Sequence, residues 1–154
     1  MDFNLSQEQT MLADSLRRYL AKSYQMPARK AAMAEAKGFS ADHWKAYADM
    51  GVLAVNVPEA NGGLASGAGN PLDTMVVMKE FGRALVVEPF WMTAVVAANA
   101  IALCDNAALQ AELLPAIGDG SLLVSLAALE HGGRYDFNHV ATTATATQIG
   151  RAHV

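Results

Sequence analysis

Apolar side chains recur at helical spacing near the start of the chain. Leucines occur every four residues from Leu12 to Leu20, and Ser6 with Gln9 three positions later has the spacing of a capping box. In such a box each of the two side chains accepts a hydrogen bond from the other residue's backbone N–H. The pattern predicts a first helix over residues 6–24.

Five more helices are predicted from the same periodicity and from residues that begin or end helices. Ser40, Asn70 and Asp105 are the predicted N-caps, because short oxygen-bearing side chains accept hydrogen bonds from a first turn. Gly38 and Gly118 are predicted to end the second and the sixth helix. The five predicted helices cover residues 27–37, 40–50, 70–86, 89–104 and 105–118. The fifth is apolar on every side, so we expect it at the centre of the core.

Three regions depart from the helical pattern. Residues 52–70 lose the period and are rich in glycine, which predicts a long loop of the kind that is often functional. Residues 121–129 form a continuous apolar run and residues 140–147 are rich in threonine, so each is predicted to be a strand. A turn-forming run separates them. Because two strands alone are marginally stable, we expect a continuation of the chain, in preference to a partner, to complete the sheet.

Composition and charge exclude several classes of protein. The chain has 53% hydrophobic residues, enough for a core, and its net charge of −4 argues against nucleic acid, which needs clustered Lys and Arg. The lone Cys104 allows no intrachain disulfide and is expected to be a packing residue. The N-terminus lacks a secretory signal, and the apolar run 89–104 is shorter than the roughly 20 residues of a membrane span. We therefore expect a cytoplasmic protein.

Few residues form a motif with its own chemistry. Gly67 and Gly69 are not followed by a third glycine, and the chain has neither a phosphate-binding loop nor a nucleophile elbow. Nucleotide binding by a glycine-rich loop and serine hydrolysis are thus unsupported. The four histidines and the lone cysteine lack metal-ligand spacing, so no metal site is expected.

Aromatic and sulfur side chains at helical spacing are interpreted as core in preference to cofactor contacts. These residues are Trp44, Tyr47, Met75 and Met78. Two carboxylates have unusual settings: Glu59 in the glycine-rich loop and Glu130 at the end of the apolar run. Glu59 is interpreted as a capping or solvated residue. For Glu130 a structural and a functional role both stay open, because a carboxylate there must find donors or a ligand.

Five segments resemble the N-terminal part of acyl-CoA dehydrogenases, in that family's order and spacing. They are residues 1–9, 44–51, 57–63 with a Pro-Glu-x-x-Gly-Gly loop, 80–84 and 110–120. The resemblance implies a mainly α fold, with a six-helix acyl-CoA dehydrogenase-type bundle over residues 1–120 and the first strands of a truncated β-domain over 121–148. Residues 130–144 look most like the small subunits of heteromeric members of the pimeloyl-CoA dehydrogenase type.

The resemblance implies an FAD-dependent subunit that forms an α,β-double bond in an acyl-CoA thioester. In the family a C-terminal carboxylate removes the α-proton while the flavin takes the β-hydride. That base would lie beyond Val154, so no residue of this chain is expected to be catalytic and the chain alone is expected to be inactive. The implied partners are the acyl-CoA substrate, another acyl-CoA dehydrogenase subunit in a homo- or hetero-oligomer, and an electron-transfer flavoprotein.

The site residues implied by the resemblance lie at the end of the first predicted strand and in the turn that follows. The expected flavin neighbours are Leu126, Ala128, Leu129 and Glu130, and the expected CoA or subunit contacts are Arg134 and Tyr135. The family's motif is altered, since Leu129 replaces a hydroxyl residue and Tyr135 replaces a serine. Contact with the flavin is therefore expected from the backbone groups of residues 126–129.

A second function is also compatible with the altered motif. It is a non-catalytic interaction subunit, whose helices pack on an active partner and which binds no flavin. Residues 149–154 read like one translated frame of a sequencing-library adapter, so we expect them to be a non-native tail.

Overall fold

The computed structural model describes residues 4–67, 69–130, 132–136 and 138–143, and its regular structure is helical. The α-helices are α1 Gln7–Ser23, α2 Met26–Ala34, α3 Ala41–Asp49, α4 Pro71–Ala84, α5 Ala98–Leu103 and α6 Ala107–Gly118. Two 3-10 turns, Val52–Ala54 and Glu59–Asn61, lie between α3 and α4. A π-helix, Trp91–Ala97, runs directly into α5. The predicted mainly α fold is confirmed.

Side-chain caps form at the starts of the first helices as predicted. Gln9 N–H donates to Ser6 Oγ over 3.1 Å, and Ser6 N–H donates to Gln9 Oε1 over 3.0 Å, which completes the capping box of α1. Ser40 caps α3, and Asn70 caps α4. These are local interactions, set by residues two or three positions apart.

The cap of α6 differs from the prediction by one residue. The side chain of Asn106, and not that of Asp105, accepts the hydrogen bond from Leu109 N–H, over 3.0 Å. Asn106 directly precedes the first helical residue, so its short side chain reaches the backbone N–H three positions on. Two adjacent polar residues of similar capping strength made the choice ambiguous from the sequence.

The end of α2 also differs from the prediction. Helix α2 ends at Ala34, three residues before the predicted end, because Glu35 already has an extended backbone. Gly38, with φ +73°, then turns the chain toward α3. Gly118 is the last residue of α6 as predicted, but the left-handed conformation falls on Gly120, with φ +77°.

Two clusters of buried side chains form the core. The larger joins α1, α3, α4 and the residue before the π-helix, and includes an edge-to-face contact of Phe81 with Phe90 at 5.2 Å. The smaller joins α5 and α6 through Ile101, Leu114 and Val57. Trp44 and Tyr47 are buried in the larger cluster, as predicted.

The fifth predicted helix, now the π-helix with α5, is buried on one side only. Ala94 and Ala98 are fully buried, whereas 51% of Trp91 and 73% of Leu103 is exposed. The expectation that this helix is surrounded by core is therefore wrong. The core side chains of α4, α6 and the loop after α3 pack against the face that holds Ala94 and Ala98, so apolar residues away from that face remain uncovered.

The first predicted strand is extended but pairs with no other strand among the described residues. Trp44 Nε1–H donates to Gly120 O over 3.0 Å, and Thr93 Oγ1–H donates to Val124 O over 2.9 Å, so residues 120–124 lie along the helical body. A strand requires a neighbour to share its backbone hydrogen bonds. Residues 140–143 also carry no strand pairing, and the rest of the second predicted strand lies outside the described residues.

None of the helices that the structure describes combines the length and apolar character needed to cross a membrane.

Candidate flavin-contact segment and apolar groove

The segment expected to contact flavin is extended and open to solvent. Leu126 is 46% exposed, Leu129 is 59% exposed and Ala128 is half-buried. Among the described residues, no group hydrogen-bonds to the backbone of residues 126–129. With respect to the described residues, these backbone N–H and C=O groups are therefore available to a ligand or to a neighbouring strand.

Glu130 closes the turn that follows this segment. Its carboxylate accepts hydrogen bonds from Ala141 N–H and, over 2.9 Å, from Thr142 N–H. These bonds, that of Ala141 first, lower the pKa of Glu130 because they favour the charged form. The carboxylate thus joins the two ends of the turn, which is a structural role, and its expected contact with flavin remains a prediction.

Arg134 and Tyr135 lie in the turn itself, which follows the extended segment of residues 126–129. Arg134 has a left-handed backbone with φ +52°, and Tyr135 is 90% exposed. No described hydrogen bond or ion pair connects either residue to the expected flavin neighbours. Their proposed contacts with CoA or another subunit remain a prediction.

An apolar groove of about 580 Å³ runs between α4 and the π-helix. Trp91 is 51% exposed, and Met75 and Met78 are 50% and 37% exposed on the facing side. The interpretation of the two methionines as core is therefore wrong. Their spacing correctly indicated one apolar helix face, but nothing in the described part of the chain covers that face.

A buried polar network closes one end of the groove. Asn56, 2% exposed, donates from Nδ2 to Ala94 O over 3.1 Å and accepts from Thr74 Oγ1 over 3.0 Å. Gly69 N–H donates to Asn99 Oδ1 over 3.2 Å. Asn56 thus joins the loop after α3 to both walls of the groove. Sequence reasoning missed it, although a lone asparagine between two buried valines is a usable signal.

A larger cavity of about 790 Å³ lies among the N-termini of α1 and α4 and the loop between α3 and α4. Its lining is mixed: Leu12 and Leu64 supply apolar surface, and Glu59 and Asp73 supply carboxylates. Gln9 Nε2–H donates to Asp73 Oδ1 over 2.8 Å and so ties the two helix starts together. Among the described residues, no three His, Cys, Asp or Glu side chains meet in a group that could hold a metal ion.

The fold and these surfaces can now be compared with known proteins. The chain matches the family described as "Acyl-CoA dehydrogenase, N-terminal domain" over residues 6–121, which is most of its length. The chain therefore belongs to the acyl-CoA dehydrogenase family, and the helical body is that family's N-terminal domain. The family predicted from the five sequence segments is confirmed.

Individual relatives agree with this assignment. The acyl-CoA dehydrogenase IpdE2 of Mycobacterium tuberculosis is 29% identical over 147 residues, which are 94% of this chain and 44% of that protein. The Tcur3481-Tcur3483 steroid ACAD variant superposes with a TM-score of 0.68 at 31% identity, over 81% of this chain and 33% of that chain. The ChsE4-ChsE5 complex of Mycobacterium tuberculosis superposes at 0.71 with 22% identity, over 81% and 34%, and so shows the fold alone. The chain thus spans less than half of each relative.

Proposed function

We propose that this chain is the N-terminal portion of an FAD-dependent acyl-CoA dehydrogenase subunit, which forms an α,β-double bond in an acyl-CoA thioester. The observation that carries the proposal is the family match over residues 6–121 on a helical body of the same fold. When bound, the flavin would accept the hydride. The chain's own contribution would be to position and enclose the reactants.

The residues present fit the polar edge of a flavin ring through backbone groups. Backbone N–H and C=O groups of residues 126–129 have no partner among the described residues, and they lie on a segment anchored by Thr93 at Val124. The exposed Leu126 and Leu129 would pack against the ring's apolar faces. Glu130 would support this edge by holding the turn that follows, without itself touching the cofactor.

The active assembly is proposed to be hetero-oligomeric, with a second acyl-CoA dehydrogenase subunit as partner. Two of the solved neighbours are named as pairs of components, ChsE4-ChsE5 and Tcur3481-Tcur3483. The apolar groove with Trp91, Met75 and Met78 supports the same idea, because an exposed apolar surface of this kind is usually covered in a working assembly. An electron-transfer flavoprotein is the proposed electron acceptor.

Within the acyl-CoA substrates, a CoA thioester with a steroid-derived acyl group is the proposed class. The support is the similarity to a steroid ACAD at 31% identity. This finer assignment is separable from the reaction type. An enzyme active only on straight-chain acyl-CoA would contradict the substrate class and leave the dehydrogenase proposal intact.

A non-catalytic partner subunit is the second candidate. The observation that favours it is that the Glu130 carboxylate is engaged within its own turn, while apolar Leu129 stands at the position of the expected hydroxyl residue. Such a subunit would use the same helical body to stabilise an active partner.

Flavin content separates the two candidates. The full-length gene product is purified with and without a candidate second acyl-CoA dehydrogenase subunit, and visible absorption is recorded. If the wild-type preparation is yellow and the Leu129→Asp variant contains less flavin, the enzyme is supported. A colourless chain that binds an already yellow partner, with no loss of flavin in the variant, supports the structural subunit.

A further inference from the structure

Five polar or ionisable side chains meet where α1, α3 and the loop between α4 and the π-helix pack together. This Glu88 cluster consists of Tyr19, Tyr24, His43, Tyr47 and Glu88. Its rings are in edge contact, with centroids 4.7 Å apart for Tyr24 and His43 and 5.8 Å apart for Tyr19 and Tyr47. No part of the cluster belongs to the segment or the groove described above.

Most polar atoms of the Glu88 cluster have protein partners. The Tyr19 hydroxyl and His43 Nδ1 form a hydrogen bond of 2.7 Å. The Tyr24 hydroxyl accepts from Val87 N–H over 3.1 Å, and burial and, to a smaller extent, its hydrogen bond with the Glu88 side chain raise its pKa to about 12. One carboxylate oxygen of Glu88, Oε1, accepts from the backbone N–H of the α3 cap residue over 3.3 Å.

Two atoms are left over, and they are chemically complementary. The Tyr47 hydroxyl and Glu88 Oε2 are enclosed by protein, and neither has a hydrogen-bond partner within the described part of the chain. Burial, and then the negative charge of Glu88, raise the pKa of Tyr47, so this phenol keeps its proton and needs an acceptor. A buried donor or acceptor without a partner is costly, so such groups are normally satisfied by protein or ordered water.

We propose that one buried water molecule bridges the Tyr47 hydroxyl and Glu88 Oε2. Water can accept a hydrogen bond from the phenol and donate one to the carboxylate at the same time. A metal ion bound to both oxygens would instead require the phenol to lose its proton. The site is polar, and the rest of the carboxylate is already fixed by the α3 cap. Buried waters typically occupy such positions between otherwise unsatisfied groups.

The bridge has a consequence for the groove. Glu88 directly precedes Pro89 and the π-helix, which supplies Trp91 and Val95 to the groove wall. A water that links Glu88 to Tyr47 of α3 therefore fixes the start of this wall to the helical body. The inference does not depend on the proposed enzymatic function.

A crystal structure of the 154-residue chain at a resolution that shows ordered waters tests the site directly. The expected result is a density peak within hydrogen-bond distance of both Tyr47 Oη and Glu88 Oε2. A direct bond between the two side chains, or an empty space between them, would overturn the proposal.

A double-mutant cycle with Tyr47→Phe and Glu88→Gln tests it in solution through unfolding equilibria. We expect a coupling of about tenfold in the unfolding constant, the size of one buried hydrogen bond. Tyr19→Phe with Glu88→Gln is the control pair, because the Tyr19 hydroxyl has its own partner in His43. If the effects of Tyr47→Phe and Glu88→Gln on the unfolding constant are additive, or if the control pair shows equal coupling, the bridge is contradicted.

Discussion

At the residue scale, one ion pair connects α1 to a buried carboxylate of α4. Arg17 donates to both oxygens of Glu80, over 3.1 and 2.7 Å, and only 2% of the Glu80 side chain is exposed. These hydrogen bonds are the main reason why the pKa of Glu80 is lowered. Arg83 lies 3.8 Å from the same carboxylate and adds a weaker attraction. The arrangement makes Arg17 the residue whose loss leaves a buried charge without its main partner.

We predict that Arg17→Met lowers the free energy of unfolding by about 2 kcal/mol, a value reduced for the half-exposed arginine. Lys45→Met, which breaks the exposed pair with Asp49, is the control and is expected to change it by less than about 0.5 kcal/mol. Urea unfolding of both variants measures the difference. If both substitutions change the free energy of unfolding by equally small amounts, the buried Glu80 carboxylate does not rely on Arg17 for its stabilisation.

The same pair predicts a pH dependence. Because the folded-state pKa of Glu80 is lowered, its stabilisation is fully present above the unfolded-state pKa of about 4.3 and is lost progressively as pH falls from that value through the folded-state pKa. In Glu80→Gln this part of the acid-induced loss should be absent. Urea unfolding at neutral pH and near pH 4 measures it, and an unchanged pH dependence in the variant would be inconsistent with the pairing.

The close approach of Gly69 to Asn56 gives a second prediction at this scale. A Cβ on Gly69 would lie 2.0 Å from Asn56 Oδ1, so Gly69→Ala must displace the buried asparagine and is expected to cost about 1–3 kcal/mol. The matched control is Gly82→Ala inside α4, where a Cβ meets nothing within 4 Å. That change should stabilise by up to about 1 kcal/mol. Thermal unfolding compares them, and a neutral Gly69→Ala would argue against the network.

At the scale of elements, caps were predictable from sequence because they depend on residues two or three positions apart. Ser6 and Asn70 cap as predicted. Burial was less predictable, since Met75 and Trp91 belong to apolar faces whose exposure depends on which neighbours are present. Residues 121–129 are extended but have no paired strand among the described residues, because an extended apolar segment forms a sheet only beside a second strand, so the predicted β-domain remains a prediction.

The cap of α6 gives a sharp comparison between adjacent residues. We predict that Asn106→Ala destabilises the chain by about 1 kcal/mol, because Leu109 N–H loses its acceptor. Asp105→Ala, at the neighbouring position that sequence alone suggested, should have little effect. The two variants are compared by urea unfolding, and the reverse order would place the cap on Asp105.

At the scale of the whole molecule, the apolar groove and the backbone of residues 126–129 are both uncovered within the described part of the chain. This chain spans 44% of IpdE2 and about a third of the solved chains, so what covers either surface stays a proposal. The candidate site residues came from family resemblance, because no spacing within the chain indicates a flavin edge. Their roles remain proposals that need the complete assembly.

Coverage of the groove can be followed by tryptophan fluorescence. Trp91 is half-exposed and Trp44 is buried, so only Trp91 should respond when a partner subunit covers the groove. We predict a shift of its emission to shorter wavelength on mixing with the partner, absent in Trp91→Phe. If the Trp91→Phe variant still shows the emission shift, the partner subunit binds at another surface.

The central claim is that this chain is part of an acyl-CoA dehydrogenase that uses flavin. The most direct measurement is anaerobic titration of the complete subunit, purified with its partner, with steroid-derived and straight-chain acyl-CoA, followed by flavin absorption and product mass. We predict bleaching of the flavin together with a product that has lost two hydrogens, and neither result for the 154-residue chain alone. No bleaching and no enoyl product with either class of acyl-CoA would contradict the claim.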